Sequence, residues 1–434
     1  MKPEGCWRPT TAHARALIGG LLLSIAAVIG RRPDLLVLAT PFIGAAVWAA
    51  LLRPTMAPTV SQWIGHHTLR EGQASTWHVS FDDPEGRVDD VAAVLDPAAW
   101  IDQEPLHGHV VVDLRADSDD GLRIAIRSTR WGCRRVGPAL IVASSAWAGF
   151  RWSTRNEADA TMLVTLPQSS RFDATAPAVR TPGLIGANRS PRYGSGNEFA
   201  TIRPFQPGDR LRRIHWAQSL RTGTLHVAST WADHDRQIML LVDALEEVGD
   251  SDGIDGRASS LDITVRAAAA IAEHYISVGD RVGLVVFGAR GVHRLPPAAG
   301  SRHLRRLLEA MANIQPAHAH VDDGRVPRGL GDGALVLMLS PLLTPAALQR
   351  AGSIADRGLS VLVIDCLPTD LTQQDPDDPY AAIAWRIQLL QREREIRRAR
   401  EAGIAVVAWH GPGSLDGVLR DLHHRTLSRV RRHQ

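Results

Sequence analysis

The sequence predicts an α/β chain in three parts: two N-terminal transmembrane helices, a small β-sandwich-like domain, and a C-terminal parallel sheet covered by helices. Three observations carry this. Two uncharged apolar runs, residues 16–30 and 35–52, are split only by Arg31-Arg32-Pro33-Asp34. Short alternating segments between Gly, Pro and Asp clusters fill residues 57–166. From Gln237 onward, unbroken Val/Ile/Leu runs alternate with helical patterns, as in a parallel sheet buried on both faces.

The first part is a hairpin occupying residues 1–56. At 1.5 Å per residue its runs are about 23–27 Å long, near the short end for a bilayer core. A cleaved signal peptide is the competing reading of the first run. A second run follows at once, which favours the hairpin. Lys2, Arg8 and Arg15 precede it, Arg53 follows it, and Arg31 and Arg32 lie in the connector. That distribution favours both ends inside, hence a multi-pass protein of the cell membrane with its bulk cytoplasmic. Neither run carries a charge, so an anchor is expected rather than a channel.

The remaining 57–434 segment follows ordinary globular statistics. The chain of 434 residues is 44% hydrophobic and 22% charged, a folded composition too long for one core. Its formal net charge of +3 argues against a dedicated nucleic-acid binder. Cys6, Cys133 and Cys366 are too scattered for a disulfide framework or a zinc site. Strands are expected at 75–81, 109–114, 122–128, 139–145 and 161–166, with 82–91 as a hairpin or loop. No cluster of acids, histidines or nucleophiles marks 57–166, which leaves a spacer or interaction role. Residues 167–192, rich in Pro, Ser, Arg and Gly, read as a linker.

Within 193–434, strands are expected at 237–243, 281–288, 334–341, 359–366 and 404–410. Helices are expected at 260–279, 301–314, 345–357, 380–402 and 414–431. Ligands of parallel sheets bind at the carboxyl ends of strands, here Asp243, Gly288, Ser340, Asp365 and His410. Ahead of this sheet lies "GSGNEFATIRPFQPGDRLRRIHWAQSLRTGTLHV", residues 194–227. Pro207-Gly208 is a strong turn pair, and Asp209 can accept backbone N–H bonds at the start of a short helix or irregular segment, with Trp216 as its packing anchor.

This block resembles the bacterial "domain of unknown function 58" family. Glu198, Phe199, Arg203, Pro207, Gly208, Asp209, Arg212, Ile214, Trp216, Arg221 and Gly223 match its pattern in order, and a strand ending Leu-Leu-Val-Asp follows. The resemblance implies two membrane helices, a β-rich region and a von Willebrand factor A-like (Rossmann-like) domain. It also implies a neighbourhood of MoxR-type AAA+ ATPases and transglutaminase-like membrane proteins, with no defined reaction. The implied Mg²⁺ site of such a domain uses Asp-x-Ser-x-Ser and a later Asp. Here Asp243 stands, but Leu245 and Glu247 occupy the serine places, and Ser340-Pro341 the later Ser-Asp place. A degenerate site and no cofactor are therefore expected, with Asp243 capping the next segment or pairing with an arginine of the block. Glu246, Glu247 and Asp365 are the acids that could rebuild a Mg²⁺ site.

Other chemistry is weaker. "GSGNEF" lacks the Gly-Lys-Ser/Thr of a phosphate loop and follows no strand. The block's arginines and aromatics could grip nucleic acid, but Glu198 and Asp209 interleave with them, which favours internal pairing. His318, His320, Asp322 and Asp323 read as a solvated loop rather than metal ligands. Residues 391–403 read as an exposed Glu/Arg helix face, and 423–434 as a last sheet-covering helix with basic ends. The sequence thus predicts a membrane-anchored, non-enzymatic adaptor for protein–protein interaction, with a MoxR-type ATPase as implied partner. The alternative is a divalent-metal-dependent ligand-binding or hydrolytic domain centred on Asp243.

Overall fold

The computed structural model describes residues 5–113, 121–155, 160–168, 193–206, 211–231, 237–289, 294–316, 334–369, 371 and 380–411. The chain forms two compact units. The first is Met1–Leu166 with Gly253–Asp255; the second is Pro167–Asp252 with Gly256–Gln434.

The first unit opens on a two-residue strand, β1 (Arg8–Pro9), followed by α1 (Thr11–Ile29) and α2 (Asp34–Leu51). Both helices are long and apolar enough to cross a membrane. α1 begins ahead of its apolar run because Thr10 caps it: the Thr10 hydroxyl accepts the His13 N–H at 3.2 Å. Small residues form the seam, with Gly20 and Ala27 of α1 and Ala39 and Ala46 of α2 buried. A Cβ on Gly20 would stand 2.7 Å from Ile43 Cγ1, so glycine is what lets the helices approach. Ile43 apart, large side chains such as Leu22, Ile29 and Val37 point away from the seam and are exposed.

Eleven more strands complete this unit: β2 (Thr59–Ile64), β3 (Thr68–Arg70), β4 (Ala74–Asp82), β5 (Val88–Leu95), β6 (Ile101–Glu104), β7 (His109–Asp113), β8 (Leu122–Ser128), β9 (Gly132–Val136), β10 (Ala139–Ser145), β11 (Phe150–Thr154) and β12 (Thr161–Leu166). They form sheets of order β1-β11-β10-β5-β7, β2-β4-β8-β6 and β3-β12-β9. All neighbours are antiparallel except β3 and β12. Period-2 burial, clearest in β10, turns one face of each strand inward. Trp77, Ile124, Ile126, Ile141, Trp152 and Leu163 thereby share one core. The 82–91 stretch is only partly the expected loop. The Asp83 carboxylate accepts the N–H of Arg87 at 2.6 Å and of Val88 at 2.7 Å, closing a turn that launches β5.

The hairpin is sewn to this β core at its foot. β1 pairs with β11, Arg8 opposite Arg151 and Pro9 opposite Phe150. Trp7 is buried, and its indole N–H donates to Met56 O at 2.9 Å, just beyond α2. Ala49 of α2 joins the same core. The Glu85 carboxylate accepts the N–H groups of Thr55 and Met56 and the Thr55 hydroxyl, and that hydroxyl is the leading cause holding it below the usual glutamate range.

The second unit begins with an antiparallel ribbon, β13 (Tyr193–Pro204) and β14 (His226–Trp231), which encloses a 3-10 turn (Leu211–Arg213) and α3 (Trp216–Thr222). A six-stranded sheet follows: β15 (Gln237–Asp243), β16 (Arg281–Phe287), β17 (Arg294–Ala298), β18 (Leu335–Ser340), β19 (Ser360–Asp365) and β20 (Ala405–Ala408). Its order is β17-β16-β15-β18-β19-β20, parallel except for β17. β17 carries Pro296 and Pro297, which an edge strand tolerates because its outward N–H groups need no partner. The helices are α4 (Ser260–Val278), α5 (Ser301–Ala312), α6 (Pro345–Ala355) and α7 (Ala381–Glu401). Met239, Leu241, Val336 and Met338 pack on one face with Ala351 and Ile354 of α6 and Ile396 of α7. α4 lies against β15, β16 and β18, starting at a capping box in which Ser259 and Asp262 satisfy each other's backbone N–H.

Candidate functional site at the carboxyl edge and the 193–227 block

The parallel strands end side by side, so their last residues converge. Asp243 ends β15, Ser340 ends β18 and Asp365 ends β19. Asp243 is buried, and both of its oxygens are engaged from within the protein. Oδ2 accepts the Ser340 hydroxyl at 2.5 Å and Oδ1 accepts the Leu245 N–H at 3.0 Å. The same Ser340 oxygen accepts the Leu342 N–H at 2.9 Å, fixing the turn after β18. Burial pushes the Asp243 carboxyl up to about 6; the Ser340 and Leu245 bonds and Arg350 oppose the rise, and Glu246 adds to it. Arg350 is itself buried, with its guanidinium 4.7 Å from the Phe287 ring centre. Gly288, at φ 75°, lies so close to Leu245 N that an added Cβ would stand 2.5 Å away.

Asp365 is also held. Arg392 of α7 forms an ion pair with its Oδ1 and donates from Nε to Pro341 O at 2.9 Å; Leu367 N–H donates to the same carboxylate at 3.1 Å. The expectation of an exposed face over 391–403 is therefore corrected at Arg392. It shares a helix face with Ile396 at i+4, and Ile396 belongs to the core, so the charge is carried inward to the strand end. Glu247 accepts the Ser259 hydroxyl at 2.6 Å, which ties the loop after β15 to the start of α4. Cys366 is fully buried, and burial pushes its thiol far above the usual cysteine range, so it is inert. Among the described residues no group of three or more His, Cys, Asp or Glu is placed to hold a metal ion.

Of the sequence-predicted residues, Asp243 is joined by Ser340 and Arg350, and Asp365 by Arg392. Sequence reasoning missed both arginines; for Arg392 the signal was its spacing from Ile396 and Ala399. In the block, Glu198 and Phe199 lie on β13 and Arg212 in the 3-10 turn, where the backbone alone is described. Pro207, Gly208 and Asp209 lie outside the described residues, as do His318, His320, Asp322, Asp323 and the expected helix at 414–431. Arg203 pairs across the ribbon with Val227, and its Nη1 donates to Pro204 O at 3.2 Å.

Histidine and serine brace the rest of the block. His215 caps α3, its Nδ1 accepting the Gln218 N–H at 3.2 Å. The Ser219 hydroxyl donates to His215 O and accepts the His226 N–H, both at 2.9 Å. Gly223 closes α3 at φ 68°, a left-handed cap that suits glycine. Arg221 is exposed. Trp216 is not the expected packing anchor. It is the first residue of α3 and 63% exposed, with Leu220 83% and Leu211 70% exposed around it.

Comparison with known proteins places this region. The family model described as "Protein of unknown function DUF58" matches residues 201–385. Uncharacterized proteins of Mycobacterium bovis and Mycobacterium tuberculosis are 29% identical over 201 residues, 46% of this chain and 55% of theirs. The chain thus spans about half the length of these curated relatives. The match takes in most of the ribbon, α3 and the greater part of the parallel sheet, so residues 201–385 are similar to the DUF58 family.

Proposed function

We propose that the chain is a membrane-anchored, non-enzymatic adaptor of the cell membrane. The hairpin α1–α2 anchors it as a multi-pass protein, the bulk is cytoplasmic, and the second unit is a von Willebrand A-like domain that presents the 211–225 surface to a protein partner. One observation carries this reading. Trp216 and Leu220, four residues apart on one face of α3, stand exposed on a segment whose backbone is fixed by the His215, Ser219 and His226 bonds. Large apolar side chains held out on a braced scaffold are the chemistry of a protein contact. Asp243 supports it too, since both of its oxygens are spent on internal bonds that set loop shape. A MoxR-type AAA+ ATPase is the partner the sequence resemblance implies.

Crosslinking and mass spectrometry on full-length protein from native membranes, with ATP present, tests this. A hexameric ATPase crosslinked within 211–225, and lost in the Trp216→Ala/Leu220→Ala variant, supports the adaptor. Recovery of the protein alone, where a control complex survives, contradicts it. The second reading is a divalent-cation site centred on Asp243, the acid at the carboxyl end of β15 where ligands of parallel sheets bind. Saturable Mg²⁺ or Mn²⁺ binding abolished by Asp243→Ala would establish it.

A further inference from the structure

The turn between β10 and β11 is costly and shows a large apolar side chain to the outside. Ala146, Trp147 and Ala148 have φ of 53°, 55° and 59°. The left-handed region is disfavoured for L-residues because Cβ crowds the following carbonyl oxygen. Ala146 is buried in the β core, but Trp147 is 74% exposed. The turn is nevertheless firmly held. Trp147 N–H donates to the carboxylate of buried Asp89 at 2.8 Å, and the Ser145 hydroxyl donates to Arg87 O at 2.6 Å.

Its position explains what it is held for. Thr10, the cap of α1, donates from N to Gly149 O at 3.0 Å and from its hydroxyl to Ala148 O at 2.7 Å. A Cβ on Gly149 would stand 2.8 Å from Ala49 Cβ, in the last turns of α2. The turn therefore touches both legs of the hairpin where they leave the β core. Only Thr10 separates β1 from α1, so no linker can hold this foot away from a bilayer that the hairpin crosses. Trp48 of α2 is 53% exposed one turn before the helix ends, and the exposed Arg15 and Arg53 flank the same level. An indole beside cationic side chains is the composition of the headgroup layer, where Trp rings partition.

We infer that Trp147 is an interfacial anchor, its ring seated in the phospholipid headgroup layer so that the foot of the β unit is fixed against the membrane surface. This rests on the membrane reading of α1 and α2 proposed above. The test uses the full-length protein in phosphatidylcholine/phosphatidylglycerol nanodiscs, with Cys6 and Cys133 replaced by Ser. A fluorophore is placed at Trp147→Cys, at Leu22→Cys in mid-α1, or at Leu106→Cys, an exposed site at the far end of β5. Headgroup-level spin-labelled lipid should quench the 147 label about twofold more than the 106 label, while deep-labelled lipid quenches the 22 label most.

If 147 behaves like 106 while 22 is quenched, the anchor is wrong and the spans stand. If 22 is also unquenched, the membrane reading fails and takes the anchor with it. Protection of 147 that persists in detergent and yields crosslinks between copies assigns the turn to a second copy instead and overturns the anchor. Because the label replaces the indole, the unlabelled protein supplies a second readout: Trp147→Phe should remove part of the intrinsic fluorescence quenched by shallow spin-labelled lipid, and no change would overturn the anchor.

Discussion

α1 and α4 are both helices of 19 residues and both apolar, yet they are buried in opposite ways. α4 buries its Ala267–Ala270 stretch and Ile271 almost completely against the sheet. α1 buries only Gly20 and Ala27, while Leu21 and Leu22 stand 55% and 60% exposed. α4 carries Arg266 and Glu273 seven residues apart on one half-buried stripe among its apolar residues. α1, from Ala16 to Ile29, carries no charge, and its one hydroxyl, Ser24, donates back to Gly20 O at 2.9 Å. The difference teaches that an apolar helix must be read by which of its residues find protein partners: small inward and large outward is the pattern of a helix apolar enough to cross a membrane.

The comparison breaks most sharply where a charge is placed on the outward face. Leu22→Arg with Phe42→Arg should cost about 5–7 kcal/mol of bilayer insertion and move the protein out of the floating membrane fraction. Were the hairpin bathed in water, two charges at these exposed sites would be harmless. Next comes the core helix: Ile271→Ala should lower unfolding free energy by about 2–5 kcal/mol in urea titration, while Leu22→Ala changes it far less.

The carboxyl edge yields a pH signature. Asp243 has a folded-state value of about 6, above its ordinary 3.8, so the native state binds its proton more tightly. Its stabilising contribution is fully present below about pH 4 and is lost as pH rises through about 6, by about 3 kcal/mol at most. Asp243→Asn should flatten that difference between melts at about pH 4 and about pH 7. The smallest effect is at α3. Trp216→Ala should leave the melting midpoint unchanged, within about 0.5 kcal/mol, because the ring is exposed, and should weaken partner binding instead.

Much of this was legible in the sequence, for identifiable reasons. The runs 237–243, 281–287 and 335–340 announced themselves because strands buried on both faces must be continuously apolar. The hairpin was legible because two uncharged apolar runs are parted only by Arg31-Arg32-Pro33-Asp34, a break with room for a turn and nothing more. β1 and β17 were not, since two residues or a Pro-Pro pair carry no periodic signal. β5 was hidden by the acids Asp89 and Asp90 at its start. Arg392 was misread because alternating Glu and Arg suggest a solvated face, and only its spacing from Ile396 betrays the inward turn. Asp243 was correctly seen as a candidate cap for its loop; that its second oxygen belongs to Ser340, far away in sequence, is a fact of strand order alone.

The most direct test of the account is a labelling of the hairpin's two ends with a membrane-impermeant maleimide, in intact and permeabilised cells. Native Cys6 is exposed at the foot, and Arg31→Cys places a thiol in the connector. The connector thiol should react in intact cells and Cys6 only after permeabilisation. If both thiols react alike in intact cells, the hairpin does not cross the membrane and the anchored reading is wrong.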